Sequence, residues 1–438
     1  MNPAAVHALA WGISALSIVL MLLRPRGIPE AVWLGAGAVL LVLSRTLPLR
    51  AAGHAIAEGA DVYLFLAGMM LLAELAKFYG VFDWLAQLAV RGALGGSKGT
   101  AGRTNHHAAA RLFTLIYIVG AAVTVLMSND ATAVVLTPAV LAAVKRAKTR
   151  PLPCLFACAL VANASSFVLP ISNPANLVVF RRGMPPLPAW LAAFALPSAA
   201  AIVATYALLR WRFRREMEGA GGGFDAADQM EPTPLSRPGK MTLAGIFAIT
   251  AILLAASALK RSLGLPTCIA AFAVAGVICL TERENPWRLV REISWSVLPL
   301  VASLFVLVEA INRAGALAAL ERALHAAAGW PAAWSSLAVG FSVGLGTNLV
   351  NNLALGLFTG AALAGGGFQH AWSSAVMIGI DLGPNLSATG SLATILWLIA
   401  LRREGIHVSA WQFLKTGLLV MPPALLLALC AAFVVRAF

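Results

Sequence analysis

The fold follows from two polar stretches inside apolar segments of membrane length: Ser128-Asn129-Asp130-Ala131-Thr132 and Thr347-Asn348-Leu349-Val350-Asn351-Asn352. Each is followed by a second polar run, from Asn163 to Asn176 in the first half and from Asp381 to Ser391 in the second. Free backbone groups and amide side chains are costly at bilayer depth unless they line a cavity or bind a ligand. Duplicated breaks in membrane helices indicate the substrate site of a transporter.

Composition assigns the chain to the membrane class. Hydrophobic residues make up 60% and charged residues 11% of its 438 positions, which is incompatible with a soluble protein that needs a polar surface. A helix of about 17 to 25 apolar residues crosses the hydrocarbon core. Crossings are predicted near residues 5–23, 29–44, 61–80, 188–209, 241–259, 266–280, 294–312 and 412–435.

Four further apolar segments carry the polar stretches. The segments 112–144 and 335–363 are too long for one crossing and have polar centres, which predicts re-entrant helical hairpins. The segments 153–180 and 371–401 are interrupted by Pro, Gly and Asn, which predicts broken helices.

These segments predict an all-α polytopic membrane protein with two inverted repeats. Each repeat is expected to contain five transmembrane helices, one of them broken, plus one re-entrant hairpin. The repeats cover residues 1–215 and 241–438, and the polar residues 216–240 form a cytoplasmic linker.

The net charge of +14 follows membrane topology rather than a nucleic-acid partner. With both termini outside the cytoplasm, most of the 32 Lys and Arg fall in inner loops, as the positive-inside rule requires of a bacterial inner-membrane protein. Both flanks of 112–144 are basic, whereas the flanks of 335–363 carry almost no Lys or Arg. The two hairpins are therefore expected to open to opposite faces, which inverts the second half relative to the first.

Direct alignment of the halves supports a duplication. Placing 61–74 on 296–309 superposes Glu74 on Glu309 and Gly80 on Gly315. With a shorter loop in the second half, Ser128-Asn129 falls on Asn351-Asn352, and Asn163 falls on Asn385. We expect Glu74 and Glu309 to pair within their own helices, with Lys77 and Arg313 respectively.

The hairpin tip around Asn129, the run from Asn163 to Asn176 and the run from Asp381 to Ser391 resemble the ion transporter superfamily. Within it, the chain resembles the bacterial arsenite-efflux family, the arsenical pump membrane proteins, over nearly its whole length. This resemblance implies efflux of arsenite and antimonite coupled to proton entry, sometimes with an arsenite-stimulated ATPase as a cytoplasmic partner.

Amide and hydroxyl groups of the tips and breaks form the predicted substrate site, because they can both donate and accept hydrogen bonds. Such a lining suits a small neutral polyhydroxyl solute or a desolvated cation, and no Lys or Arg lies among these motifs to hold a multivalent anion. The candidates are Ser128, Asn129, Thr132, Asn163, Ser172, Asn173, Asn176, Thr347, Asn348, Asn351, Asn352, Asn385, Ser387, Thr389 and Ser391.

Two carboxylates are candidates for proton coupling. Asp130 lies in the first hairpin tip, where a charged group costs several kcal/mol unless it is protonated, paired or coordinating. Asp381 lies just before the second break and is the second candidate. No cofactor is expected, and the chain has no G-x-x-x-x-G-K-[ST] motif for ATP. Cys154 and Cys158 lie one helical turn apart and are interpreted as small apolar packing rather than as a metal site.

Two alternatives remain open from the residues alone. A sodium-coupled carrier, either a sodium/proton antiporter or a dicarboxylate symporter, would use the same tips and breaks as cation sites. A passive metalloid channel would need no carboxylate in a hairpin tip.

Overall fold

The computed structural model describes residues 3–94, 105–218, 234–365 and 369–437. Within these ranges the protein has twenty α-helices and no strand. The first ten are α1 (Pro3–Leu23), α2 (Glu30–Leu43), α3 (Leu49–Glu58), α4 (Ala60–Phe78), α5 (Val81–Leu94), α6 (Asn105–Leu126), α7 (Thr137–Arg146), α8 (Leu152–Ala164), α9 (Pro174–Val179) and α10 (Leu187–Glu218). The second ten are α11 (Arg237–Ala258), α12 (Gly264–Glu282), α13 (Pro286–Glu292), α14 (Val297–Arg313), α15 (Ala316–Ala328), α16 (Ala332–Val350), α17 (Asn352–Gly365), α18 (Gln369–Leu382), α19 (Leu392–Arg403) and α20 (Ala410–Ala437).

The described helices make this a multi-pass membrane protein. Seven of them are long and apolar enough to cross a bilayer: α1, α6, α10, α11, α12, α16 and α20. The pairs α3–α4 and α13–α14 also qualify, although each is bent, by 49° and 43° respectively. The predicted all-α membrane fold is confirmed. Residues 219–233 of the predicted linker lie outside the described ranges.

The order of elements is consistent with the predicted repeat, because the two bent pairs, α3–α4 and α13–α14, lie ten helices apart. Packing repeats as well, since α4 lies against α12 and α14 lies against α2. The aligned Gly80 and Gly315 both have a positive φ, of 72° and 92°, in the turns that follow α4 and α14. This conformation favours glycine, which explains why a glycine occupies both aligned positions. The inverted relation of the halves stays a prediction.

Each half contains a pair of helices that fold back on themselves. In the first, a π-helical turn over Ala131–Leu136 leads from the tip into α7, and Thr132 Oγ1 lies 2.8 Å from Thr124 Oγ1 and 3.2 Å from the carbonyl oxygen of Gly120. These bonds hold the returning segment against α6. In the second, the chain turns at Asn351, which has a φ of 75°, and Leu355 packs beside Gly346 of α16.

Both predicted breaks are present as interruptions between short helices. The first lies between α8 and α9, where the Asn173 side chain accepts a hydrogen bond from the backbone of Ala175 and caps α9. The second lies between α18 and α19 and starts with a 3₁₀ turn over Gly383–Asn385. Ser391 caps α19 in the same way, with a bond from the backbone of Ala393.

The predicted ion pairs within α4 and α14 are confirmed. Lys77 Nζ lies 2.5 Å from Glu74 Oε1, and Arg313 Nε lies 2.6 Å from Glu309 Oε1.

Candidate substrate and coupling site

Each hairpin tip is bonded to the break of its own half by one backbone hydrogen bond. The N–H of Asn129 donates to the carbonyl oxygen of Ser172 at 3.0 Å. The N–H of Asn352 donates to the carbonyl oxygen of Gly390, also at 3.0 Å. A tip and a break both leave backbone groups without helical partners, and each supplies a hydrogen-bond partner to the other. The equivalence of Asn129 and Asn352, expected from the alignment, has this structural counterpart.

Buried amides join the two halves directly, and we call these contacts the amide seam. Asn163 Nδ2 donates to Asn385 Oδ1 at 2.9 Å, and Asn385 Nδ2 donates to the carbonyl oxygen of Leu160 at 3.0 Å. Asn173 Nδ2 donates to Asp381 Oδ1 at 2.7 Å. All four polar side chains of the seam are at most 2% exposed. The first break and the second are therefore bonded to each other as well as to their own tips.

The second tip and break are joined by side chains of partly exposed residues. Asn348 Nδ2 donates to the carbonyl oxygen of Gly383 at 3.1 Å, and its Oδ1 accepts from Ser387 Oγ at 2.7 Å. Thr389 Oγ1 lies 3.0 Å from Ser387 Oγ and donates to the carbonyl oxygen of Asn348 at 2.9 Å.

Most of the other predicted substrate residues satisfy nearby backbone groups. Asn176 Nδ2 donates to the carbonyl oxygens of Ser166 and Leu169 within the first break. The remaining contacts run from Ser172 Oγ to the oxygen of Val125, from Thr347 Oγ1 to the oxygen of Gly344, and from the N–H of Leu353 to both Asn351 Oδ1 and Asn352 Oδ1. These residues hold the breaks in shape, as interior polar groups generally do.

Several buried oxygens of the same region have no hydrogen-bond partner within the described ranges. They are Asn129 Oδ1, Asn163 Oδ1, Ser165 Oγ, Asn176 Oδ1 and Asp381 Oδ2. Buried acceptors without partners are uncommon and indicate a ligand, an ion or water.

A cavity of about 500 Å³ reaches the first hairpin tip. Its inner end contains Ser128, Asp130 and the first residues of α9 and α19, Pro174 and Leu392. Apolar walls come from α4, α19 and the segment after the first tip, including Met69, Val134 and Leu396. Among the predicted substrate and coupling residues, only Ser128 and Asp130 line it.

The mouth of this cavity is charged and lies at the end of α4 that is predicted to be cytoplasmic. Carboxylates exceed basic groups on its lining, and Lys77 is already paired with Glu74. The acidic residues are Glu74, Asp83, Asp130, Glu292 and Glu404, and the basic residues are Lys77 and Arg403. Such a lining repels a multivalent anion and admits a neutral solute or a cation.

The two candidate coupling carboxylates have different surroundings. Asp130 is half-buried on the cavity surface, and within the described ranges no side chain pairs with its carboxylate. Asp381 is fully buried, does not line the cavity, and is bonded through one oxygen to Asn173. Of these two carboxylates, only Asp130 can exchange a proton with the cavity in this conformation.

Sequence reasoning did not identify most of the cavity wall. Met69, Val134 and Leu396 are ordinary apolar residues of membrane helices, and Glu292 and Asp83 lie in short helices that the apolar segments do not reveal. Glu74 was expected to form an ion pair, and it also lines the mouth.

The family and the relatives that this chain matches are described as transporters or pumps. The family profile described as "Citrate transporter" (CitMHS) matches residues 18–380. The "Arsenical pump membrane protein" of Escherichia coli (strain K12) is 26% identical over 443 residues, which cover 97% of each chain. The protein of the same name from Yersinia enterocolitica is likewise 26% identical over 443 residues, with 97% of each chain covered. The resemblance to the arsenical pump membrane proteins is confirmed.

A solved structure shares the fold. The Alcanivorax borkumensis YdaH transporter superposes with a TM-score of 0.53 at 13% identity, covering 88% of this chain and 86% of the other. At this identity the likeness concerns the fold alone.

Proposed function

The chain belongs to the CitMHS citrate-transporter family, and we propose that this member exports trivalent metalloid, arsenite or antimonite, from the cytoplasm in exchange for protons. The near full-length similarity to arsenical pump membrane proteins supports the metalloid substrate. The observation that carries the proposal is Asp130, an unpaired carboxylate at the inner end of an acidic cavity.

The charge of the cavity favours a metalloid over citrate. Citrate carries several negative charges near neutral pH, and a site for it needs basic groups, helix N-termini or bound cations. The cavity lining instead carries five carboxylates and two basic groups. Glu74 pairs with Lys77 and Glu404 pairs with Lys145, which leaves three carboxylates, Asp83, Asp130 and Glu292, and one basic group, Arg403. Arsenite and antimonite are neutral trihydroxides at neutral pH, and hydroxyl groups of the tip can bind them without any countercharge.

The proposed cycle follows from the opening of the cavity toward the predicted cytoplasmic face. The solute diffuses to the tip and binds near Ser128, while Asp130 releases a proton to the cytoplasm. The tips and breaks then move against α4 and α14 and open the site to the outer face, where the solute leaves and Asp130 takes up a proton. Because the solute and the proton use one site in turn, the proton gradient drives export.

The test uses everted membrane vesicles, radiolabelled arsenite and an imposed pH gradient, acidic inside. Asp130→Asn replaces the carboxylate with an amide of similar shape that cannot release a proton. We expect it to abolish accumulation against a gradient and to retain exchange of labelled for unlabelled arsenite. Asp83→Asn is the matched control, because Asp83 is exposed at the mouth of the same cavity.

Three results would contradict the proposal. Equal accumulation by Asp130→Asn and wild type would show that another residue carries the proton. Accumulation driven by a sodium gradient and not by pH would favour a sodium-coupled carrier. Equilibration without accumulation in the wild type would favour a passive channel.

A further inference from the structure

A second cavity, of about 470 Å³, lies at the opposite end of α4 from the mouth of the acidic cavity. Asp61, near the start of α4, lines it, whereas Lys77 near the end of α4 lines the acidic cavity. The two positions are about 24 Å apart along the helix axis, close to the thickness of the hydrocarbon core. The second cavity therefore opens at the predicted outer face.

The second cavity is basic, although the predicted outer face carries few basic residues. Its lining includes Arg181, Arg182, Lys260 and Arg261. Arg181 Nη1 donates to Glu58 Oε2 at 2.6 Å and is neutralised. For the other three, no ion pair occurs within the part of the chain that the structure describes, and all three are exposed.

The one carboxylate of the lining is already engaged. Asp61 Oδ1 accepts a hydrogen bond of 2.9 Å from the backbone N–H of Gly264, at the start of α12. Three positive charges without an ion pair thus face one cavity that contains a single carboxylate, and they come from two separate connections. Arg182 follows the first broken helix, and Lys260 and Arg261 join α11 to α12.

Apolar side chains that the protein leaves uncovered begin beside these basic residues. Leu259 precedes Lys260 and is 72% exposed, and Leu265 is 51% exposed in the first turn of α12. Ile269 and Phe272, further along α12, are 61% and 45% exposed. A row of uncovered apolar residues on a membrane helix faces acyl chains, so the basic cavity lies where headgroups meet these chains.

We propose that this cavity binds the headgroup of an anionic phospholipid, with the phosphodiester held by Arg182, Lys260 and Arg261 and the acyl chains lying along α12. Arginine and lysine are suited to phosphate oxygens, and basic side chains at the end of a membrane helix lie at the depth of the headgroups. The bound lipid bridges the segment after α9 and the connection between α11 and α12. This inference does not depend on the transported substrate.

The test measures lipid binding to the purified full-length protein in detergent by native mass spectrometry. The probes are phosphatidylglycerol, which is anionic, and phosphatidylethanolamine, which is zwitterionic. The triple variant Arg182→Gln, Lys260→Gln, Arg261→Gln is expected to bind phosphatidylglycerol at least about tenfold more weakly than wild type, given the contribution of each basic group near a lipid surface. Binding of phosphatidylethanolamine is expected to stay within about twofold.

The matched control removes three basic residues of the same predicted face outside the cavity: Arg45→Gln, Arg50→Gln and Arg322→Gln. All three are exposed, and Arg45 shares with Lys260 a left-handed backbone, with φ of 57° and 56°. This control is expected to bind phosphatidylglycerol within about twofold of wild type. If the first triple variant does not fold, Arg261→Gln alone is expected to weaken binding about threefold.

Two outcomes overturn the proposal. Equal loss of phosphatidylglycerol in the two triple variants, or no loss in either, would show that the cavity is not a headgroup site. Displacement of phosphatidylglycerol from wild type by millimolar inorganic phosphate would show a site for a free anion instead of a lipid.

Discussion

Asn173 is expected to stabilise the amide seam, because its side chain makes two hydrogen bonds at once. Its Oδ1 accepts from the backbone of Ala175 at 3.0 Å and caps α9. Its Nδ2 donates to Asp381 Oδ1 at 2.7 Å. The second carboxyl oxygen of Asp381 accepts no hydrogen bond within the described ranges, so the bond from Asn173, together with the nearby Ser166 side chain, compensates for burying this group.

Two substitutions separate these contributions. Asn173→Ser keeps a good capping residue, as Ser391 shows at the start of α19, and removes the amide donor. A buried polar group without its partner costs about 1 to 3 kcal/mol, which is the loss of unfolding free energy expected for this variant. Asn173→Ala also loses the cap, worth about 1 kcal/mol, and is expected to lose about 2 to 4 kcal/mol in all.

Unfolding of the purified variants in mixed detergent micelles measures these losses, and Asp381→Asn completes a double-mutant cycle. An asparagine at 381 can accept the same bond, so Asp381→Asn alone is expected to cost less than about 1 kcal/mol. Hydrogen bonds between membrane helices average about 0.6 kcal/mol in such cycles. A loss at or below that value in Asn173→Ser would refute the idea that the burial of Asp381 depends on Asn173.

Three further results are expected. Asn129→Ala removes a tip amide whose Oδ1 has no protein partner within the described ranges. This variant should bind arsenite roughly five- to a hundredfold more weakly in the purified, folded protein, the equivalent of about 1 to 3 kcal/mol. An unchanged affinity would show that this amide faces no ligand. Gly360→Ala would place a Cβ 2.5 Å from the backbone oxygen of the last residue of α9, so this variant should lose about 1 to 3 kcal/mol of unfolding free energy. Gly53→Ala, where the new Cβ would have nothing within 4 Å, should lose none. Equal stability of the two variants would contradict the close approach of α17 to α9. Single cysteines at Lys148 and Ser262, in a cysteine-free background, should be labelled from the cytoplasm and from outside respectively; labelling from one common face would contradict the predicted topology and inversion.

The broad fold was predictable because its signals are local. Long apolar segments mark the crossings. Pro174 directly after the capping Asn173 marks the restart of a helix, because proline is favoured at the first helical position. The short helices α3, α5, α13 and α15 were not predicted. They are either brief or mix polar with apolar residues, so an apolar window of membrane length does not contain them.

The candidate site was predictable only in part. Asp130 was identified because a carboxylate at bilayer depth is costly and therefore indicates a functional site. The structure places it on the cavity. The amides were expected to face the solute, and most of them bond to the breaks or across the seam. An amide at a helix break can satisfy the freed backbone or a ligand with the same atoms, and sequence does not distinguish the two uses.

The amide seam also constrains how the proposed transporter moves. Each tip is bonded to its own break through Asn129 or Asn352, and the breaks are bonded to each other through Asn163, Asn385 and the pair of Asn173 with Asp381. Breaking these buried bonds separately would leave several amide groups unsatisfied, at about 1 to 3 kcal/mol each. The inner wall that α4 contributes to the acidic cavity, from Leu66 to Ala73, is in contrast apolar and can slide at little cost. The two tip-and-break pairs are therefore expected to move as one unit past α4 and α14, carrying Asp130 with them, rather than to part from each other along the seam.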